Sequence, residues 1–120
     1  MTLTELLEEL KQVDPETYRK WFNDYDVLGL DQWQLDSLQG CIQRACEGRG
    51  WEIEQNYRTR GRDGDLPKNM RHYAVVTSWY NDVHTYRGMG GTSASALLAA
   101  YIAAVKEAKQ VQCIHEQSAH

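Results

Sequence analysis

The spacing of apolar residues changes twice along this chain, and each change marks where one kind of secondary structure replaces another. Up to Cys46 the apolar residues recur at the period of an amphipathic helix. Over residues 51–58 apolar and polar residues alternate, as in a strand with one buried face. The helical period returns at Ser93. Because Pro15 and Gly29 divide the first part into three, we predict the order α-α-α-β-β-β-α.

This order predicts an α+β domain whose three strands form an antiparallel meander with the C-terminal helix packed on the sheet. We divide the chain into a single domain, residues 1–110, and a tail, residues 111–120. Within the domain, residues 1–30 form an N-terminal helical pair and residues 31–110 form an αβββα core. Both sheet faces carry apolar residues, and such sheets are usually covered on both sides. We therefore predict an α-β-α sandwich with the N-terminal helices over the second face.

The pairing of the last two strands decides which aromatic residues share a face. If Asn81 and Asp82 form a two-residue hairpin turn, then Tyr73, Trp79 and Tyr86 point to the same side of the sheet. Such an aromatic face could stack nucleic-acid bases or form a protein interface. The third interpretation, which the two-sided cover favours, is burial under the first two helices.

Composition narrows the classes of protein to which this chain can belong. It has 120 residues, of which 42% are hydrophobic and 25% charged, as is typical of one soluble globular domain. The net charge of −4 argues against a wholly basic nucleic-acid binder, and no apolar run is long enough for a membrane span. Acidic residues stand near the N-terminus, where a signal peptide has basic ones. Together with three cysteines in no framework pattern, these features predict a cytoplasmic protein with reduced thiols.

The stretch from Gly88 to Ser93, GMGGTS, has the composition of a phosphate-binding loop. A P-loop also needs a lysine, and neither lysine nor arginine lies between Arg87 and Lys106. A dinucleotide-binding loop needs a further parallel strand after the helix, and none is predicted. We therefore expect no cofactor. The glycines are interpreted as permitting a sharp strand-to-helix corner, with Thr92 or Ser93 as the cap of the last helix.

Residues 58–71, between the first two predicted strands, contain five cations and two acids, and we call them the Arg-rich segment. Such a segment can follow a phosphate backbone, dock on an acidic protein or be a solvated connection between strands. The cations are Arg58, Arg60, Arg62, Lys68 and Arg71.

No combination of residues has the spacing of a Ser-His-Asp set, a Cys-His set or a zinc site. With the strand pairing above, His72 and His84 fall on opposite faces of the sheet, so we do not expect them to share a metal. We therefore predict no metal, no catalytic residues and no enzymatic activity.

From Asp31 to Ala108, the predicted order of helix, three antiparallel strands and helix resembles a double-stranded RNA-binding domain. That family ends its third strand in Gly-x-Gly-x-Ser, which Gly88, Gly90 and Thr92 match. The lysine cluster that follows in the family is absent, and its places hold Ser93, Ala94 and Leu97. The resemblance implies that the Arg-rich segment corresponds to the loop that enters the minor groove of RNA.

The same region is also similar to small α-β-α sandwich proteins of phages and prophages. This resemblance rests on the helix that ends in RGW at residues 49–51, on the strand pair, and on the Gly-rich corner before the helix SASALLAAYIAA. It implies a fold and a phage-like origin, and a fold does not fix an activity.

We expect a non-enzymatic protein-interaction module, of the phage-type accessory or host- and defence-modulating kind, that binds a protein partner. Four Trp and seven Tyr residues support this expectation, because such side chains are enriched at interfaces. The alternative is a nucleic-acid-binding protein that uses the Arg-rich segment. We expect no membrane partner, and a monomer or a homodimer. The predicted binding residues are Arg58, Arg60, Arg62, Lys68, Arg71, Tyr73, Trp79 and Tyr86.

Overall fold

The computed structural model describes residues 2–22, 32–79 and 83–118 of the chain. The helices in these ranges are α1 (Leu3–Val13), α2 (Pro15–Phe22), α3 (Gln32–Arg49) and α4 (Ser93–Ser118). The strands are β1 (Glu52–Tyr57), β2 (Arg60–Gly61), β3 (Gly64–Asp65), β4 (His72–Ser78) and β5 (His84–Gly90), and a 3-10 helix covers Lys68–Met70. Among the helices so described, none is long and apolar enough to cross a membrane.

Three of the strands form an antiparallel sheet in the order β1-β4-β5, and α4 packs on this sheet. The predicted α+β class, with N-terminal helices, an antiparallel meander and a C-terminal helix on the sheet, is confirmed. β2 and β3 form a separate hairpin inside the Arg-rich segment. This hairpin has no counterpart in the prediction, because a two-residue strand is too short to show alternation.

The junction between α3 and β1 is a Schellman motif. Gly50 has a φ of 73°, a left-handed conformation that glycine adopts without steric cost. Its N–H donates to the carbonyl of Glu47 at 3.0 Å, and the N–H of Trp51 donates to the carbonyl of Cys46 at 2.9 Å. These two bonds satisfy carbonyls that the end of a helix leaves without partners. The sequence RGW therefore ends the helix and aims the chain into the sheet.

The register of β4 and β5 differs by one residue from the prediction. Ser78, rather than Trp79, pairs with His84. The predicted turn at residues 81–82 lies outside the described residues, but the pairing is not the one that a two-residue turn would give. Because side chains alternate along a strand, a shift of one residue moves every β5 side chain to the other face. Tyr86 therefore lies on the opposite face from Tyr73, and the predicted three-residue aromatic face is wrong.

All the described helices lie on one side of the sheet. α4 covers β4 and β5, and α3 lies beside it against β1. α1 packs on α4 and α2, and α2 packs on α3, so the N-terminal pair forms a further layer behind the first. The prediction that the N-terminal helices cover the second sheet face is therefore wrong.

The composition of α4 explains this arrangement, because the helix is apolar on nearly every side. A helix of that kind buries most of its circumference instead of packing by one stripe. One side faces the sheet, and the other sides share a single core with Leu6 and Leu10 of α1 and with Leu38 and Ile42 of α3. The buried residues of α4 are Ala94, Ala96, Leu97, Leu98, Ala100, Tyr101, Ile102, Ala104 and Val105.

Two glycines of β5 allow α4 to lie close to the sheet. A Cβ atom at Gly88 would lie 2.7 Å from the backbone nitrogen of Ala100 and would also overlap the carbonyl oxygen of Ala96. A Cβ atom at Gly90 would overlap the hydroxyl of Ser95. Both glycines lie inside β5, before the residues that lead into α4, and neither has a positive φ, so these two do not form the predicted corner. They serve close packing of a strand against a helix.

The last helix is longer than its apolar pattern. That pattern ends at Ala108, whereas α4 continues to Ser118. Residues 111–118, for which the sequence predicts a tail, are therefore helical. The predicted boundary between the helical pair and the core, at residue 31, lies outside the described residues.

Candidate functional site

The Arg-rich segment uses part of its own charge to hold its shape. Arg60 and Asp65 stand opposite each other in the β2-β3 hairpin, and the Nε of the arginine lies 3.3 Å from Oδ1 of the aspartate. Both side chains are exposed, so this ion pair contributes little free energy. Arg71 turns back and donates from Nε to the carbonyl oxygen of Leu66 at 3.0 Å. Two of the five predicted cations, Arg60 and Arg71, therefore bind other residues of the same segment.

The other three cations differ in how available they are. The guanidinium of Arg58 lies over the ring of Tyr73, 5.3 Å from its centroid, and so connects the segment to the sheet. Arg62 and Lys68 are exposed, and neither makes an ion pair or a hydrogen bond with another described residue. They are the cations of the segment that a phosphate or a carboxylate could reach without displacing a protein partner.

The aromatic residues of the predicted site are divided between the two faces of the sheet. Tyr73 is half-buried and Trp79 is 56% exposed, and both belong to the side without helices. Tyr86 points toward α4, where burial raises the pKa of its hydroxyl. A hydrogen bond with Ser78 lowers that pKa in part, and the nearby charge of Glu107 raises it further. Tyr86 therefore does not belong to the surface that carries Tyr73 and Trp79.

We call the side of the sheet without helices the open face. β4 runs along its middle, with half-buried side chains that include Val75, and the edge strands β1 and β5 carry exposed side chains. Met89, on β5, is 44% exposed. Acids stand on one edge and an arginine on the other. The three rows across the face are Glu52–Thr77–Thr85, Glu54–Val75–Arg87 and Asn56–Tyr73–Met89.

A polar cluster lies on the opposite side of the molecule, where α1, α2 and α4 meet. The side chain of Asp14 is only 11% exposed and accepts hydrogen bonds from the hydroxyls of Tyr101, at 2.5 Å, and Thr17, at 2.6 Å. Nη2 of Arg49 lies 3.7 Å from the same carboxylate, and its guanidinium lies 5.0 Å from the ring centroid of Trp51. These contacts join four elements of the fold through one carboxylate.

Most of this cluster has no signal in the sequence. The sequence marks Asp14 only as a helix cap in front of Pro15, and Tyr101 reads as one more residue of an apolar helix. A cleft of about 810 Å³ opens beside the cluster. Its lining mixes Lys20 and Arg44 with Glu16, so its charge favours no single class of ligand.

The titration of the cluster follows from burial and hydrogen bonding. Burial by itself raises the pKa of Asp14, but hydrogen bonds from Thr17 and Tyr101 and the charge of Arg49 outweigh it and lower the pKa overall. Burial and the hydrogen bond to Asp14 raise the pKa of Tyr101 to about 12. Burial also raises the pKa of Cys46 to about 12, which keeps this thiol protonated and unreactive. These shifts are those of a structural hydrogen-bond network.

Tyr101→Phe tests this network at alkaline pH. A hydroxyl whose pKa is raised from 10.0 to about 12 stabilises the fold below pH 10, and this contribution is lost as the pH rises toward 12. The wild type should therefore lose up to about 3 kcal/mol of its free energy of unfolding over that interval through this group. The free energy of unfolding of the variant should fall correspondingly less between pH 10 and pH 12, as measured by urea unfolding at both pH values. Tyr57→Phe, at an exposed site, is the control, and an alkaline loss in Tyr101→Phe equal to that of this control would contradict the assignment.

The glycine-rich stretch ends in a cap, as predicted. The N–H of Ser95 donates to Oγ1 of Thr92 at 3.1 Å, and the N–H of Thr92 donates to Oγ of Ser95 at 3.2 Å. The hydroxyl of Ser93 accepts a hydrogen bond from Nε2 of Gln55 at 2.7 Å. Protein groups thus take up polar atoms at the start of α4 that a phosphate would need.

The two strand histidines lie on the same face of the sheet, and the prediction of opposite faces is wrong because of the register shift. They stand at opposite ends of the β4-β5 ladder, since His72 pairs with Gly90 and His84 pairs with Ser78. Within residues 2–22, 32–79 and 83–118, no three side chains that could hold a metal ion come together.

No described helix covers the open face, and Arg62 and Lys68 make no ion pair or hydrogen bond with another described residue. The function therefore has to be argued from the chemistry of this surface. No known protein family matches this chain, and no curated protein is significantly similar to it.

Proposed function

We propose that this chain is a non-enzymatic protein-interaction module that binds a protein partner through the open face. One observation carries the proposal: among the described residues, no helix covers this side of the sheet, where the middle strand presents the half-buried Tyr73, Val75 and Thr77. Sheets with apolar residues on both faces are usually covered on both. A binding partner supplies the cover that the chain's own helices do not.

The side chains on and beside the open face are of the kinds that interfaces use. Tyr, Trp, Met and Arg are enriched where proteins meet, and exposed apolar patches rimmed by polar residues mark such sites. Trp79 and Val83, at the two ends of the β4-β5 connection, are 56% and 50% exposed.

Nucleic acid is the second candidate partner. The exposed cations Arg62 and Lys68, together with Arg58 stacked on Tyr73, favour it, and the resemblance to a double-stranded RNA-binding domain points to the same segment. Two available cations give a small electrostatic contribution, because each phosphate contact changes log K by about 0.9 per decade of salt. The negative charges of Glu52 and Glu54, which lie on the open face, repel a polyanion. For these reasons a protein partner is favoured.

A capture experiment tests the proposal with variants of matched charge. Val75→Asp places a charge at the centre of the open face, and Ala103→Asp places the same charge on the exposed side of α4. The immobilised wild type and immobilised Ala103→Asp should capture the same partner protein, and Val75→Asp should no longer capture it. Far-UV circular dichroism establishes that both variants are folded.

Two results would count against protein binding through the open face. Equal capture by Val75→Asp and by the wild type would place the binding surface elsewhere. Capture of RNA or DNA that is lost in Arg62→Ala/Lys68→Ala, and kept in Val75→Asp, would support the second candidate instead.

A further inference from the structure

We infer that the partner on the open face is a second copy of this chain, so that two sheets pack face to face in a homodimer. The inference rests on the proposed function, because it names the partner for the same surface. It begins with the charges along the edges of the face. Glu52 and Glu54 lie on β1, Arg87 lies on β5, and Val75 of β4 lies between Glu54 and Arg87 in one row.

This row is complementary to itself. A two-fold axis parallel to β4 places β1 of one copy over β5 of the other, and each surface patch then meets its own copy. In that arrangement, Glu54 of each copy faces Arg87 of the other, and Val75 meets Val75. A two-fold axis across the strands would bring the glutamates of both β1 strands together, and such like-charge contacts are costly. The charges therefore select one of the two ways in which the sheets can stack.

The charged groups of the row are not neutralised within one copy. Arg87 makes no ion pair or hydrogen bond with any described residue, and Glu54 accepts a hydrogen bond from the amide of Asn56 at 3.2 Å. Packed sheets lie about 10 Å apart, a gap that an arginine and a glutamate side chain bridge together. At the rim of the interface, such pairs set orientation and specificity more than affinity.

The net charge of the open face also favours association between two copies of this chain. Two glutamates, Glu52 and Glu54, stand with two arginines, Arg58 and Arg87, so the face has no net formal charge to oppose self-association. Three strands of six or seven residues, about 4.8 Å apart and rising about 3.4 Å per residue, present roughly 350 Å² per copy, or about 700 Å² in total. Interfaces of that size are smaller than those of stable specific complexes and belong to weak, transient association. We therefore expect a weak dimer that forms only at the upper end of the concentration range used below.

The experiment measures the oligomeric state of the full chain by analytical ultracentrifugation from micromolar to near-millimolar concentration. The wild type should shift from monomer to dimer across this range. Glu54→Arg and Arg87→Glu, each alone, should weaken the dimer about tenfold or more, because each brings like charges together twice. Glu8→Arg, on the exposed side of α1, repeats the charge change of the first variant as a control and should leave the dimer unchanged.

The decisive step is to mix the two single variants. Glu54→Arg and Arg87→Glu should form a heterodimer of near wild-type affinity, because both charged rows then become complementary. The doubly substituted chain should likewise dimerise as the wild type does. The inference would be overturned if the wild type is monomeric at every concentration. It would also be overturned if the single variants dimerise as the wild type does, or if mixing them does not restore the dimer. If the chain is monomeric while Val75→Asp still abolishes capture of another protein, this inference fails and the proposed function stands.

Discussion

Replacing Gly88 by alanine should lower the free energy of unfolding by about 3 kcal/mol. The added Cβ would lie 2.7 Å from the backbone nitrogen of Ala100 and would overlap the carbonyl oxygen of Ala96. Both neighbours are backbone atoms of a buried helix, so neither can rotate away as the end of a side chain could. The strand and the helix must separate, and the contacts that α4 makes with β4 and β5 would loosen along their length.

Urea unfolding at neutral pH, followed by tryptophan fluorescence, measures this loss. Gly48→Ala is the matched control, because Gly48 lies in α3 and a Cβ there would meet nothing within 4 Å. The control should gain up to about 1 kcal/mol, since alanine is the better helix former and restricts the unfolded chain. Equal stability of Gly88→Ala and the wild type would mean that α4 does not lie this close to the sheet.

Asp14→Ala should have an effect of similar size, about 3 kcal/mol at neutral pH. The carboxylate caps α2 by accepting from the N–H of Thr17 at 3.3 Å, and loss of such a cap costs about 1 kcal/mol. The substitution also leaves the hydroxyl of the buried Tyr101 without its acceptor, which costs about 1–3 kcal/mol. Because both residues belong to one network, Asp14→Ala and Tyr101→Phe should combine to less than the sum of their separate effects.

The same variant predicts a dependence on acid pH. Because the pKa of Asp14 is lowered from 3.8 in the fold, its contribution is present above that value and is lost as the pH falls through the lower pKa of the folded state. The difference in stability between the wild type and Asp14→Ala should therefore shrink below about pH 4. Glu47→Ala, which removes an exposed carboxylate of α3, is the control. A difference that stays constant into strong acid would show that the carboxylate charge is not what stabilises the cluster.

The features that the sequence predicts correctly are those that a few neighbouring residues decide. The cap at Thr92 and the helix end at Gly50 depend on hydrogen bonds within one turn of helix. The α+β class follows from the change of apolar period, which is also a local signal. These parts of the fold can be read without knowing which elements meet.

The features that the sequence does not predict depend on which distant surfaces meet. The sequence predicts the faces of β5 only through one assumed turn, whereas the observed register differs by one residue and places Tyr86 on the other side of the sheet. The apolar stripe of α1 shows that it needs a partner, but not that α4 supplies one. Likewise, nothing near Asp14 in the chain indicates Tyr101. The open face, and with it the candidate binding site, exists because α4 and not the sheet holds the N-terminal helices.

The position of α4 in the chain has a consequence for biosynthesis. α4 follows every other described element, yet the sheet, α1 and α3 all bury their apolar residues against it. While the earlier elements emerge from the ribosome, the helix at the centre of their core is missing, and their exposed apolar surfaces invite chaperones and proteases. The nascent chain should therefore stay protease-sensitive until the segment around Tyr101 and Val105 has left the exit tunnel, and should then become resistant in one step.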